Sequence, residues 1–135
     1  MAFLLDTNVI SELRKAKPAP AVLDWYQREA DADVFISTLA LGEIRYGIEK
    51  VRSRDARQAR DLEAWLAGLL ARYRDRILPV TADVAEEWGR LSPRPPVVDG
   101  LMAATAKVHR LVLVTRNVAD VAHGGVTVVN PFEPR

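Results

Sequence analysis

The sequence predicts an α/β fold, a three-layer sandwich in which a short-stranded, mainly parallel sheet lies between helices. Several short apolar segments carry no charge, as strands buried on both faces of a parallel sheet do. Segments whose apolar residues recur at helical spacing separate them, and this alternation is typical of parallel α/β proteins. Polar residues directly follow the first and the fourth apolar segments, as expected where a strand hands over to a helix.

Strands are predicted from the charge-free apolar runs. They cover residues 2–5, 34–36, 77–80, 111–114 and 126–129. Asp6 stops the first run, and Ser37 or Thr38 follows the second, where either side chain can cap the next helix. A polar run at 115–117 ends the fourth strand in the same way as Asp6, Thr7 and Asn8 end the first.

Helices are predicted where apolar residues recur three and four positions apart. They cover residues 8–15, 19–29, about 38–51, 55–76, 81–91 and 97–108. Pro18 breaks the first helix, and a rigid, extended connector at 92–96 precedes the last one. Residues 118–123 are expected to form an irregular or single-turn segment.

The third helix carries two different faces. Glu43, Gly47 and Lys50 lie together on one of them. The apolar stripe on the other face consists of Leu41, Ile44, Ile48 and Val51. We therefore expect Glu43 to project away from the core, and this helix to form an antiparallel pair with the long helix that follows it.

Length and composition suit one domain covering residues 1–135. No apolar run approaches the ~20 residues needed to cross a bilayer, and the N-terminus lacks the basic region of a signal peptide. The absence of cysteine excludes a disulfide framework and a zinc-thiolate site. We expect a cytoplasmic protein without membrane association. Because the formal net charge is only +1, any affinity for nucleic acid must come from a local basic face.

Four carboxylates stand out by their positions. Asp6 ends the first strand, Glu43 lies on the helix after the second, Asp99 opens a largely apolar helix and Asp120 follows the fourth strand. Right-handed connections bring the ends of strands one and four, and the starts of the intervening helices, to one edge of a parallel sheet. A purely structural interpretation is also available, because Asp6 can cap a helix and a helix dipole stabilises Asp99 by ~0.3–1 kcal/mol.

Acids gathered in one cleft need a cation. Like charges at ~3–4 Å raise one another's pKa strongly, so four carboxylates cannot all stay ionised alone. A site built from carboxylates, without Cys or His, favours Mg²⁺, for which Mn²⁺ can substitute. Such an ion can activate a water molecule and neutralise charge on a phosphodiester during its hydrolysis.

Four motifs then follow one another along nearly the whole chain. They are LLDTNVISEL, STLALGEIRYGIEK, VVDGLMAATAKVHRLVLVTRN and VVNPFE. Together they resemble the PIN-domain ribonucleases, and within them the VapC-type toxins of bacterial type II toxin–antitoxin systems, especially the FitB-like branch. The resemblance implies a PIN-like fold and an Mg²⁺-dependent endoribonuclease with an RNA substrate. It also implies a cognate antitoxin protein and a homodimer.

The resemblance assigns the catalytic acids residue by residue. It implies that Asp6, Glu43 and Asp99 form the acidic site, with a fourth acid from the segment after strand four. Members of the family often carry Asp at the position of Asn117, with another acid about three residues later, where this chain has Asp120. Asn117 brings no charge, so both residues remain candidates for the fourth position.

Our hypothesis for the roles starts from the ion. Asp6 and Asp99 bind it most directly, and Glu43 completes the acidic edge and orients the attacking water. Asp120 or Asn117 holds a water molecule in the outer coordination sphere.

Neighbouring polar and basic residues are expected to support this site. Thr7, Asn8 and Thr115 are candidates for donors that fix the carboxylates, although each could be a plain cap or turn residue. Arg45 and Arg116 are the candidates for contacts to RNA phosphates.

Two other functions remain open from the residues. A metal-dependent phosphatase or phosphoacceptor domain also places aspartates at strand ends, but the phosphatase pattern needs a second Asp two residues after the first, where this chain has Asn8. A catalytically inactive PIN-like binding module is the other alternative. Retention of Asp6, Glu43 and Asp99 argues against loss of activity.

Overall fold

Parallel strands form one sheet in the computed structural model, which describes residues 1–29, 33–93, 95–121 and 125–134, without the side chains of 120 and 121. The strands are β1 (Ala2–Leu5), β2 (Asp33–Ser37), β3 (Ile77–Leu78), β4 (Val112–Val114) and β5 (Val128–Val129). Their order in the sheet is β3-β2-β1-β4-β5, and every neighbouring pair is parallel. The predicted α/β class with a parallel sheet is therefore confirmed.

The helices follow the predicted order with shifted ends. They are α1 (Thr7–Arg14), α2 (Pro20–Glu29), α3 (Thr38–Arg52), α4 (Ala56–Arg72), α5 (Ala82–Gly89), α6 (Val97–His109) and the short α7 (Val118–Val121). The fourth helix ends earlier than predicted, because a 3₁₀ turn at Arg74–Arg76 replaces its last residues. No helix among the described residues is both long and apolar enough to cross a membrane.

Two predicted strands are shorter than expected, and both lie at the edges of the sheet. β3 and β5 each pair with one neighbour only, over two residues in each case. The central strands pair on both sides and are longer or fully buried. An edge strand has a hydrogen-bonding neighbour on one side only, so fewer of its residues belong to the sheet. This accounts for the shorter β3 and β5.

The register at the sheet centre aligns the ends of β1 and β4. Leu5 lies opposite Val114, and the Asp6 amide donates a hydrogen bond to the Val114 carbonyl at 2.9 Å. The polar residues that follow both strands, Asp6 and Thr115, therefore emerge at the same edge of the sheet. The core lies beneath them, with Trp25 packed edge-on against Phe3 at a ring-centroid distance of 5.1 Å.

Candidate active site

Asp6 is a buried carboxylate held by uncharged donors. Its side chain is the N-cap of α1 and accepts a hydrogen bond from the Thr7 amide at 2.7 Å through Oδ1. Its Oδ2 accepts from Thr115 Oγ1 at 2.6 Å and from Asn8 Nδ2 at 3.3 Å. Only 5 % of the residue is exposed. Within the described ranges no lysine or arginine forms an ion pair with it.

The residues after β4 complete this arrangement. The Thr115 amide donates to the Val129 carbonyl at 2.9 Å, which fixes the residue in the sheet, and its buried hydroxyl reaches Asp6. The same hydroxyl oxygen accepts a hydrogen bond from the Asn117 amide at 3.0 Å. The Arg116 amide donates to Asn8 Oδ1 at 3.3 Å. The two polar runs after β1 and β4 are thus bonded directly to each other.

Glu43 is linked to Asp6 through Thr7. The Thr7 hydroxyl donates a hydrogen bond to Glu43 Oε1 at 2.5 Å, while the Thr7 amide contacts Asp6. Ser37 caps α3 by accepting from the Leu39 amide, and this cap fixes the start of the helix that carries Glu43. Because α1 packs against α3, two of the predicted acids, Asp6 and Glu43, both accept hydrogen bonds from Thr7.

An open groove runs beside Glu43, between α3 and the start of α6. It is lined by Thr38, Leu39, Gly42, Glu43, Tyr46 and Val98. Asp99 follows Val98 in the first turn of α6 and is half-buried. The predicted third acid therefore lies on the helical turn that borders the same groove as Glu43.

The start of α6 is held by close packing at Gly100. A Cβ atom at this buried position would lie 3.1 Å from Trp88 Cδ1 and 3.2 Å from Pro95 Cγ. Both distances are shorter than ordinary van der Waals contacts, so glycine lets α5 and the preceding loop approach α6. This packing determines the position of the turn that carries Asp99.

The two candidates for the fourth position differ in what the structure describes. Asn117 is exposed, and its backbone is bound to Thr115. The backbone of Asp120 is part of α7, but its side chain is outside the described part of the chain. The choice between them stays a prediction.

Arg45 takes part in an ion-pair network on the outside of the α3–α4 pair. Its Nη1 lies 2.7 Å from Glu63 Oε2 and 3.3 Å from Glu49 Oε2. Arg52 pairs with the same two carboxylates. The hydrogen bonds to Glu63 raise the pKa of Arg45, and those from Arg52 and Arg45 lower the pKa of Glu63. Arg45 thus has a structural task, and its contact to RNA remains a prediction.

Arg116 is exposed beside the carboxylate site. Its guanidinium carbon lies 3.7 Å from the centroid of the Phe132 ring, a cation–π contact. The residue follows Thr115 directly, so its backbone belongs to the site even though its side chain points to the C-terminal segment. This geometry does not test the predicted contact of Arg116 to RNA phosphate, which stays a prediction.

The predicted acids suit Mg²⁺ or Mn²⁺ by ligand type. Asp6, Glu43 and Asp99 offer carboxylate oxygens without sulfur or imidazole, and Mg²⁺ binds through one or two carboxylates while keeping several waters. No group of three or more His, Cys, Asp or Glu side chains close enough to hold a metal ion occurs among the described residues. The described carboxylates therefore do not by themselves form a complete ion-binding group in this structure, and the Mg²⁺ site stays a prediction.

Sequence reasoning missed two residues of the groove, Gly42 and Tyr46. Tyr46 follows Glu43 by three positions on α3, away from the buried Ile44 and Ile48, and 67 % of it is exposed. An aromatic residue outside the apolar stripe was the available signal. Its position one turn from a predicted acid would have marked it.

Comparisons with known proteins identify the family of the chain. A family model described as the PIN domain matches residues 3–119. The VapC ribonuclease Y4jK of Sinorhizobium fredii is 33 % identical over 97 % of this chain and 98 % of its own length. Toxin FitB of Neisseria gonorrhoeae is 30 % identical over 96 % of this chain and 97 % of its own.

Solved structures give the same result. The crystal structure of FitAcB from Neisseria gonorrhoeae aligns with a TM-score of 0.89 at 30 % identity, over 97 % of this chain and 99 % of that one. A toxin-antitoxin complex from Klebsiella pneumoniae aligns with a TM-score of 0.72 at 26 % identity, over 96 % and 98 % of the two chains. The chain therefore belongs to the PIN-domain family, and its relatives within that family are VapC- and FitB-type toxins.

Proposed function

We propose that this protein is an Mg²⁺-dependent endoribonuclease and the toxin of a toxin–antitoxin pair. The observation that carries the proposal is the Asp6 carboxylate, which is buried among neutral donors and joined through Thr7 to Glu43. A buried charge of this kind is usually paired with a cation or serves a functional site. The resemblance to a VapC ribonuclease over nearly the whole chain supports RNA as the substrate.

The proposal divides the work among the predicted acids. Asp6 and Asp99, with Glu43, would hold the ion, which when bound supplies an activated water and neutralises charge on the phosphodiester. Thr115, Thr7 and Asn8 hold Asp6 in one orientation, so that its oxygens are fixed before substrate arrives. Glu43 is exposed and can accept a proton from a water molecule in the groove.

A partner protein belongs to the same proposal. A structurally similar chain comes from a toxin-antitoxin complex, and this similarity supports a cognate antitoxin for the present chain. We also propose a homodimer, as the family resemblance implies. Size-exclusion chromatography with light scattering, for the chain alone and after co-expression with the product of an adjacent small reading frame, tests both statements. A monomer that binds no such product would contradict them.

The activity is tested by offering the purified protein several substrates side by side. These are RNA, single-stranded DNA and a phosphomonoester, each with Mg²⁺, with Mn²⁺ and with a chelator. We expect cleavage of RNA alone, and only with metal, because the acids need a divalent ion to act on a phosphodiester. Release of phosphate from the monoester would favour a phosphatase, and inertness towards all substrates would favour a binding module.

A further inference from the structure

One face of α3 is exposed and combines a small, an aromatic and a basic residue. Gly42, Tyr46 and Lys50 follow one another at intervals of four positions, so they lie along one side of the helix. Glu43 borders the same side, and Gly42, Glu43 and Tyr46 line one groove. The face therefore begins at a proposed catalytic acid and continues away from it for two helical turns.

This face differs from the other exposed face of the same helix. There Arg45, Glu49 and Arg52 form ion pairs with one another and with Glu63, so their charges are balanced within the chain. On the groove side, 67 % of Tyr46 is exposed. Lys50 Nζ lies 5.6 Å from the centroid of its aromatic ring. Aromatic residues are enriched where proteins contact partners, and an exposed ring can stack on the bases of single-stranded nucleic acid.

Gly42 keeps the space beside the ring open. A Cβ atom at this position would meet no other atom within 4 Å, so close packing inside the protein does not require glycine here. Glycine in the interior of a helix is nevertheless less stable than alanine. Gly47, Gly68 and Gly89 are equally open, but Gly42 lines the groove beside Glu43, where a ligand could approach the helix backbone.

We propose that Tyr46 stacks on a base of single-stranded RNA whose neighbouring phosphate is bound by Lys50, with Gly42 leaving room for the nucleotide. This inference rests on the proposed ribonuclease function and adds a substrate-positioning surface to it. Unpaired bases stack on aromatic side chains, and lysine binds the backbone phosphates, whereas the bases of a duplex are hidden inside it. One ring with one cation beside it can bind one base and the phosphate next to it, and this pair of groups favours RNA over a protein partner.

The stacking contact is tested by binding in the Asp6→Asn background, in which we expect no cleavage of the probe. The probes are a fluorescein-labelled oligoadenylate of about 12 nucleotides, within the range of single-strand binding sites, and an abasic ribose-phosphate strand of equal length. Tyr46→Ala should weaken binding of oligoadenylate by at least about fivefold, the lower end for removing a ring beneath a base, and should leave the abasic strand unaffected. Tyr46→Phe should keep the affinity. Leu70→Ala, at another exposed apolar residue, is the control.

Lys50 is tested through the salt dependence of the same binding. Lys50→Gln should weaken binding of both strands and lower the slope of log affinity against log salt by about 0.7, as expected for one lost contact to single-strand phosphate. Lys17→Gln removes the same charge at an exposed position beyond the far end of α1 and should leave the slope unchanged.

Gly42→Ala gives an independent test, because stability and binding should change in opposite directions. The added methyl group meets no atom of the protein and improves the helix, so the midpoint of thermal unfolding should rise. The same methyl group occupies the proposed nucleotide space, so the affinity for oligoadenylate should fall. Unchanged affinity in this variant would contradict the proposal.

The outcomes separate this inference from the ribonuclease function. If the wild-type protein cuts RNA but Tyr46→Ala binds oligoadenylate as tightly as its parent, the stacking surface is wrong and the ribonuclease stands. If the wild-type protein neither binds nor cuts RNA, both are wrong. If Tyr46→Ala alters the mass in light scattering or the binding of an antitoxin while RNA binding is intact, the face belongs to a protein interface and the inference is overturned.

Discussion

Two buried carboxylates at opposite ends of α1 have different surroundings. Glu12, near the C-terminal end, is 9 % exposed and accepts hydrogen bonds from Lys15 Nζ and from the Ala19 amide, both at 2.9 Å. Asp6, at the N-terminal end, is 5 % exposed and accepts hydrogen bonds from an amide, a hydroxyl and a side-chain amide. Glu12 is paired with a lysine of the chain, whereas Asp6 has only neutral hydrogen-bond donors among the residues that the structure describes.

This difference separates a structural acid, Glu12, from the acid that we propose to be catalytic, Asp6. The hydrogen bond from Lys15, followed by that from the Ala19 amide, lowers the pKa of Glu12, so its charge contributes to the folded state. Neutral donors orient the Asp6 carboxylate but leave its charge available to a cation from outside. Burial alone would have placed the two residues in one class. The charge of their partners distinguishes them.

Replacing Asp6 should have the largest effect on activity and little effect on folding. Asn caps helices as well as Asp does, so Asp6→Asn should keep α1 and a thermal midpoint close to that of the wild type. We expect RNA cleavage to fall by more than about 100-fold, beyond the ~10–100-fold typical of losing an outer partner of a metal ligand. Cleavage rates and thermal unfolding measured on the same preparation check this. Retained cleavage would remove Asp6 from the site.

Removing one of the neutral donors should have an intermediate effect. Thr115→Val keeps the shape of the side chain but deletes the hydroxyl that donates to Asp6 Oδ2. We expect a ~10–100-fold loss of cleavage and a loss of ~1–3 kcal/mol in unfolding free energy, because a buried acceptor loses its partner. Thr115→Ser restores the hydroxyl and should recover most of both. Equal behaviour of the two variants would show that the hydroxyl does not orient Asp6.

Glu12→Gln should have the opposite signature, with lower stability and unchanged RNA cleavage. Because the folded pKa of Glu12 lies below its usual value of 4.5, its charge stabilises the fold above that pH, and this contribution is lost as the pH falls through the folded pKa. The gap in thermal midpoint between wild type and variant should therefore be full at neutral pH and close in acid. A gap that stays constant across this range would contradict the assignment.

The sequence predicted the meeting of the strand ends because that meeting depends on topology alone. Short apolar runs gave a parallel sheet, and polar residues after the first and fourth runs had to emerge at one edge, where Asp6 and Thr115 are now bonded. Capping by Asp6 and membership of the site were treated as alternatives; the structure shows that Asp6 caps α1, and its membership of the site stays a prediction. The pattern could not show which oxygens meet.

The contacts of Glu43 and Asp99 depend on how helices pack against one another. The spacing of apolar residues within one helix carries little information about that packing. Thr7 connects Asp6 with Glu43 only because α1 contacts α3, and no spacing in the sequence encodes that contact. The close approach at Gly100, which holds the turn of Asp99, likewise depends on where α5 lies. Residue types at strand ends were therefore predictable, and their partners across elements were not.

Among these variants, replacing Arg45 should have the smallest effect on stability and RNA binding. Like Glu12, the exposed acids that Arg45 contacts are paired with basic residues of the chain. Glu49 and Glu63 are balanced by Arg45 and Arg52, and exposed pairs of this kind contribute little to stability. Arg45→Gln should therefore barely change the thermal midpoint. It should also lower the salt slope of RNA binding by less than the ~0.7 expected of a free phosphate contact, because its guanidinium is shared with two carboxylates.

Arg116→Gln is the matched variant for this measurement. Arg116 contacts an aromatic ring and forms no ion pair among the described residues, whereas Arg45 pairs with two carboxylates, so the loss of Arg116 should change the salt slope more. Fluorescence anisotropy at several salt concentrations ranks the two. If Arg45→Gln lowers the slope as much as Arg116→Gln, then RNA displaces the carboxylates from Arg45, and internal charge balance does not by itself separate structural from functional residues on this surface.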